Sequence, residues 1–291
     1  MFGKDCYKEI NKLINKAFLD KKVLIAAHRG AWGGNIIENT IPSFRLALEM
    51  GADMFECDVS KSTDGVLYAF HDGYEKRILG VDANIESLSS SEINELYFFN
   101  SIGEPSGVKV EFFESIVSYF KNGELYNVDR SWGKFPETIA ILRKYPWAIN
   151  QALIKSHAKE EAVLNLLNEC PDKFMYMPIV YSLEDVESVL SYPEINLVGM
   201  ELIARSPEDE LFSDEAIRFL HSKQLFTWVN TINLSNLDRH ILYAGLDDEN
   251  ALLKDKDISW GKLMQKGIDI IQTDWPYQLK NYRDNYIKDQ K

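Results

Sequence analysis

Eight short strand-like runs, each followed by a stretch of helical periodicity, constrain this chain more than any other feature. The runs are Val23–Ala27, Asp53–Asp58, Leu125–Asp129, Trp147–Leu153, Phe174–Val180, Asn196–Leu202, Leu225–Asn230 and Ile268–Thr273. Strands separated by helices are joined by crossovers, which favour a parallel sheet over hairpins. Eight such units in 291 residues predict an α/β fold, a (β/α)8 TIM barrel. Helix starts are legible as well. Thr40 caps a helix through Phe44, Leu48 and Met50 with Pro42 in its first turn, and Ser182 opens Leu183–Leu190.

One unit is too long. More than fifty residues separate Phe70 from the third strand, where one helix would suffice. Glu111–Lys121 supplies that helix, so Asp72–Val110 reads as a small lobe inserted after strand two. Within it, Ser89-x-x-Glu92 is a capping box for a short helix through Leu96. Ile10, Leu13, Ile14 and Ala17 are spaced as one helix face, so residues 1–22 read as an amphipathic lead-in to a barrel over 23–291.

Charge and cysteines narrow the function. Thirty-two Lys and Arg against 45 Asp and Glu leave a net charge of −13. That argues against general binding to nucleic acid or anionic membranes, which needs basic surface. No apolar run approaches the roughly 18 residues of a membrane span, and Lys4, Asp5, Lys8, Glu9 and Lys12 break any secretory-signal pattern. Cys6, Cys57 and Cys170 are odd in number and far apart. They imply neither a disulfide framework nor a zinc cluster, and favour a reducing, cytoplasmic setting.

The densest chemistry lies early in the chain, at strand ends. His28-Arg29-Gly30 closes strand one, Glu56-Cys57-Asp58 closes strand two, and His71-Asp72 follows Val66–Phe70. Barrel active sites gather at the C-terminal ends of the strands, so these segments can converge. Glu56 and Asp58 share one strand face, while Cys57 points to the other and packs under a helix. Two inward carboxylates repel; they either bind a hard divalent cation through oxygen or pair with Arg or Lys across the barrel. Calcium and magnesium both suit. His28 and His71 can act as base and acid on a phosphodiester, or can cap backbone groups. Arg29 can hold phosphate oxygens bidentately or brace Glu56. His157, His221 and His240 fall on helix-like or loop stretches and are assigned no role.

At these residues the sequence resembles the glycerophosphodiester phosphodiesterase family. His28-Arg29-Gly30, Glu38-Asn39-Thr40, Gly51-Ala52-Asp53, Glu56-x-Asp58, Thr63-Asp64-Gly65 and His71-Asp72 follow that family's opening motifs in order, over about forty-five residues. Trp228-Val229-Asn230 and Gly267-Ile268-Asp269 with Thr273-Asp274-Trp275-Pro276 resemble its strand-seven and strand-eight motifs. The resemblance implies a barrel with a lobe after strand two, and metal-dependent cleavage of a small glycerophosphodiester into an alcohol and glycerol phosphate. By motif position, His28 and His71 resemble the acid–base pair, Glu56 and Asp58 two ligands of a calcium or magnesium ion, and Arg29 a phosphate contact.

The chain departs from the pattern at strand three, where the family places a Glu and, two residues later, a Lys. Here Asp129 stands for the Glu as third ligand, and Ser131 replaces the Lys. Lys155, at the end of strand four, is expected to supply the missing cation, Glu201 on strand six to reinforce the substrate site or serve as a reserve ligand, and Trp228 to wall the alcohol pocket. Asp274 is expected to cap the last helix, Asn39 and Thr40 to satisfy a helix start, and Trp32-Gly33-Gly34-Asn35 to form a turn. Three alternatives stand beside this expectation. They are a lysophospholipid or sphingolipid phosphodiesterase giving a cyclic phosphate, a non-catalytic glycerophosphodiester-binding barrel, and a metal-dependent sugar isomerase. The last needs a ligand set on later strands that the chain does not show.

Overall fold

The barrel strands can be built from their side-chain alternation. In the computed structural model, which describes residues 1–234 and 242–290, the central strands pair in the order expected of a parallel barrel. Strand one is Leu24–Ala27, strand two Met54–Lys61, strand three Leu125–Asp129, strand four Ala152–Ile154, strand six Gly199–Leu202, strand seven Phe226–Asn230 and strand eight Ile270–Thr273. Strand five comes in two pieces, Met175–Tyr176 and Ile179–Val180, interrupted at Pro178, whose missing N–H cannot join a ladder. The first piece pairs with strand four and the second with strand six. Backbone bonds from Ile179 N to Ser156 O at 2.9 Å and from Tyr176 N to Asn196 O at 3.0 Å tie both pieces to both neighbours and close the ring.

Because side chains alternate along a strand, each barrel strand sends every second residue into the lumen. The lower lumen is apolar: Leu24, Ala26, Met54, Leu125, Leu153, Met175, Met177, Phe226, Trp228 and Ile270 pack in one buried cluster. The helix Lys12–Lys21 plugs this end, burying Ile14 in the cluster with Phe2, Ile10, Leu13, Ala17 and Phe18 against it. Each fully buried Leu or Phe there contributes about 1.5–3 kcal/mol. The opposite parity faces the surrounding helices, and Cys57 lies in that outer layer, as its spacing predicts.

Strand four differs from expectation. Ala148–Gln151 form a helical turn, and only Ala152–Ile154 are extended. Anchoring to neighbouring backbone overrides the apolar pattern here: the Trp147 indole N–H donates to Val117 O at 3.0 Å, and Gln151 Nε2 donates to Glu124 O at 2.7 Å.

Strand two runs on past the barrel and pairs antiparallel with Leu67–Ala69. The following segment has its own small core of Tyr68, Phe70, Ile78, Leu79, Ile85, Ile93, Phe98 and Val110, to which Ile37 adds. It carries a hairpin of Tyr97–Phe99 with Pro105–Lys109. The Ser89–Glu92 capping box forms, but its helix, Ser90–Ile93, stops short of Leu96. The helix expected over Glu111–Lys121 covers Phe113–Tyr119. Glu111 instead accepts from Ile41 N at 2.9 Å, satisfying the first turn of the helix Ile41–Glu49. Among the described residues no helix is long and apolar enough to cross a membrane.

Candidate active site

The C-terminal ends of the strands converge on a cavity of about 200 Å³. His28, Arg29, Glu56, Asp58, His71, Asp129 and Glu201 all line it. Sequence spacing thus brought to one rim residues separated by up to 173 positions, 28 to 201. Strand pairing explains part of this. Asp58 stands in register with Asp129 and Glu56 with Asn127, so all four point the same way from adjacent strands.

The turn after strand one organises the rim. Arg29 and Gly30 both take left-handed backbone, with φ of +56° and +81°. In that turn the Arg29 N–H donates to Glu56 Oε2 at 2.8 Å. A non-glycine residue held there costs about 1–3 kcal/mol, a strain that clusters at functional sites. Arg130, at the end of strand three, and Asn39 share it, with φ of +54° and +56°. A Cβ on Gly30 would lie 2.6 Å from the backbone carbon of Ser43. Gly30→Ala is therefore expected to destabilise the fold by about 1–3 kcal/mol, read as a lowered urea midpoint with unchanged slope.

Electrostatics around the carboxylates are tightly coupled. Burial, reinforced by Asp58 and Asp129, pushes the Glu56 carboxyl well above its ordinary range. Its Oε1 is buried without a hydrogen-bond partner. Burial works in the same direction on Asp58, but Arg29, then His71 and His28, outweigh it and bring that carboxyl below its usual value. Arg29 Nε lies 3.1 Å from Asp58 Oδ2 and its Nη1 2.9 Å from Glu38 Oε1. The guanidinium also lies over the Tyr74 ring at 4.5 Å. Arg29 thus braces the acidic cluster as well as facing the cavity.

The two histidines have fixed ring orientations. His71 Nδ1 lies 2.6 Å from Asp72 O, and a carbonyl can only accept, so Nδ1 carries the proton and Nε2 is the basic nitrogen. Burial lowers the His71 pKa; Asp58 opposes the shift, while Arg29 and Arg130 add to it. His28 Nδ1 lies 2.8 Å from Asp274 Oδ1.

Several expectations need correction. Lys155 and Trp228 are fully buried below the cavity instead of on its wall. Lys155 Nζ pairs with Glu201 and sits 4.0 Å above the Trp228 ring, so its charge is already matched. Besides Arg29, the cavity wall carries Arg130, paired with Asp72 at 2.6 Å. Asn39 does not serve the helix start: its side chain donates to Asp58 Oδ2 at 2.9 Å and accepts from Asp58 N at 3.0 Å. Thr40 does cap Ile41–Glu49, in a box with Ser43. Asp274 makes no cap to the helix Pro276–Asp289 and binds His28 instead. His157, given no role from sequence, lines the cavity with Trp132 and Tyr181 at ring distances of 5.0 and 6.0 Å. Its position just beyond strand four was the available signal. His221 instead bonds Asp269 at 2.9 Å, away from the cavity, and His240 lies outside the described residues.

The donor chemistry fits a hard cation. Glu56 has a buried orphan oxygen, and the three carboxylates Glu56, Asp58 and Asp129 repel one another in one corner. As the side chains stand, no group of three His, Cys, Asp or Glu among the described residues is already gathered to hold a metal. Arg29 and Asn39 occupy Asp58, and Arg130 N–H occupies Asp129 Oδ1 at 2.7 Å.

A closed parallel barrel with titratable groups concentrated at one rim defines a TIM-barrel enzyme. A model of the glycerophosphoryl diester phosphodiesterase family matches residues 28–186, and one described only as a domain of unknown function matches 176–283. A glycerophosphodiester phosphodiesterase of Bacillus subtilis is 27% identical over 241 residues, covering 76% of this chain and 80% of that protein. A glycerophosphoryl diester phosphodiesterase from Parabacteroides distasonis shares the fold, with a TM-score of 0.72 at 18% identity over 97% of this chain and 92% of that one. A phosphodiesterase from Oleispira antarctica, solved with the product sn-glycerol-3-phosphate, has a TM-score of 0.65 at 18% identity, covering 92% and 99%. The chain belongs to the glycerophosphoryl diester phosphodiesterase family.

Proposed function

We propose that this chain hydrolyses small glycerophosphodiesters to an alcohol and glycerol phosphate, with His71 as base and His28 as acid. The observation that carries the proposal is the gathering of His28, Arg29, Glu56, Asp58 and His71, all from the family's opening motifs, around one cavity. His71 is held neutral by burial and offers Nε2 to take a proton from the attacking hydroxyl. His28 returns a proton through its Nε2 to the departing alkoxide. Arg29 and Arg130 supply positive charge on the wall to the phosphate oxygens. Glu56, Asp58 and Asp129 would hold a calcium or magnesium ion, which supplies Lewis-acid polarisation of a phosphate oxygen when bound. The free thiols of Cys6, Cys57 and Cys170 support a cytoplasmic location.

A panel of glycerophosphodiesters assayed before and after chelation, with calcium or magnesium added back, tests the proposal. Turnover is expected to fall by at least about 10²-fold with chelator and to return with one of the two ions. Phosphorus NMR identifies the product as glycerol phosphate or a cyclic phosphate. Absence of turnover on every diester with both metals would overturn the assignment.

A further inference from the structure

His28 and Asp274 end neighbouring strands: His28 N donates to Thr273 O at 3.1 Å where strand one meets strand eight. That pairing brings their side chains to 2.8 Å, although 246 residues separate them in sequence. Asp274 is itself held. Its N–H donates to Asp248 Oδ2 at 2.9 Å, and the Thr273 hydroxyl reaches the same oxygen at 2.8 Å. The other oxygen of Asp248 accepts from the Thr231 hydroxyl at 2.6 Å and from Trp260 Nε1 at 3.0 Å. A buried carboxylate with four donors is a fixed anchor, so the turn that carries Asp274 cannot easily drift.

We infer that Asp274, anchored through Asp248, is a positioning residue that holds His28 with Nδ1 protonated and Nε2 directed to proton transfer with the leaving alcohol. The inference rests on the proposed acid role of His28. In that step the Nε2–H bond breaks as the alkoxide O–H bond forms and the P–O bond to the alcohol breaks. A carboxylate on the far nitrogen selects the tautomer and limits ring rotation, the service an aspartate renders in hydrolase triads. Both aspartates lie in residues 176–283, the part matched by the model of unknown function and mostly beyond the phosphodiesterase match. The strand-eight motif in the second half of the barrel thereby acquires a chemical task beside the opening motifs of the first half.

Asp274 is partly exposed, so Asp274→Asn is expected to fold normally. Measured on a glycerophosphodiester with an aliphatic alcohol, its kcat should fall about 10²-fold while KM changes less than about twofold. On glycerophospho-p-nitrophenol, whose leaving group departs without a proton, the loss should shrink to under about tenfold. Asp274→Glu should recover part of kcat on the aliphatic substrate. Unchanged kcat in Asp274→Asn, or an equal loss on both substrates, would overturn the inference. Failure of the wild-type chain to cleave either diester would instead sink the functional proposal on which it stands.

Discussion

Replacing His71 with alanine is expected to lower turnover of a glycerophosphodiester by about 10²–10⁴-fold, and His28→Ala by a similar factor. Both rings stand outside the hydrophobic clusters, with His71 edge-on to Tyr74 at 4.8 Å. His71 makes one hydrogen bond, to the carbonyl of the next residue, and His28 one, to a partly exposed carboxylate. Thermal melts of both variants should therefore overlay the wild type while initial rates collapse. The pH profile adds a sign that truncation alone does not. Burial, with Arg29 and Arg130, holds His71 below its ordinary value near 6.5. The base therefore remains unprotonated below that pH, and the acid limb of kcat/KM should fall below pH 6.5. Near-wild-type rates in both alanine variants would remove the acid–base assignment, and an acid limb well above 6.5 would remove His71 as the base.

What was legible in the sequence followed from two periodicities and a run of local motifs. Alternation along strand two placed Glu56 and Asp58 together and Cys57 apart, because strand geometry turns parity directly into facing. The opening motifs lie within one barrel segment, so their order alone led to the cavity. Contacts set by ring closure were not legible. Nothing local in Thr273-Asp274-Trp275-Pro276 shows that strand eight returns beside strand one, so Asp274 read as a cap. Arg130 drew no reading from the sequence; its left-handed backbone, φ +54°, directly after Asp129 sets it on the wall beside Asp72. Lys155 failed in a different way. Its strand was right, but the Glu201 that would neutralise it lies two strands along the barrel.

That pairing sets the largest expected effect on stability. Lys155 Nζ is fully buried against Glu201 and the Trp228 ring. Glu201 Oε1 accepts from Asn230 Nδ2 at 2.7 Å, and Asn230 Oδ1 accepts from Trp228 Nε1 at 2.8 Å. The four side chains form a closed ring at the cavity floor, where Glu201 and Asn230 line the cavity and Lys155 and Trp228 lie beneath it. Burial works against the Lys155 charge, but Glu201, then Asp129 and Glu56, outweigh it and raise its pKa. Lys155→Met removes the cation and leaves Glu201 buried with one hydrogen bond, which is expected to cost about 3–5 kcal/mol. Replacing the pair together, Lys155→Met with Glu201→Gln, removes the stranded charge and should regain most of that loss in urea unfolding. A single variant costing less than about 1 kcal/mol, or a double variant no better than the single, would show that the pair carries little. Activity separates structure from chemistry. If Lys155 acts beneath the floor and not on phosphate, Lys155→Met should keep KM near wild type in the fraction that stays folded, whereas a direct phosphate contact would raise KM.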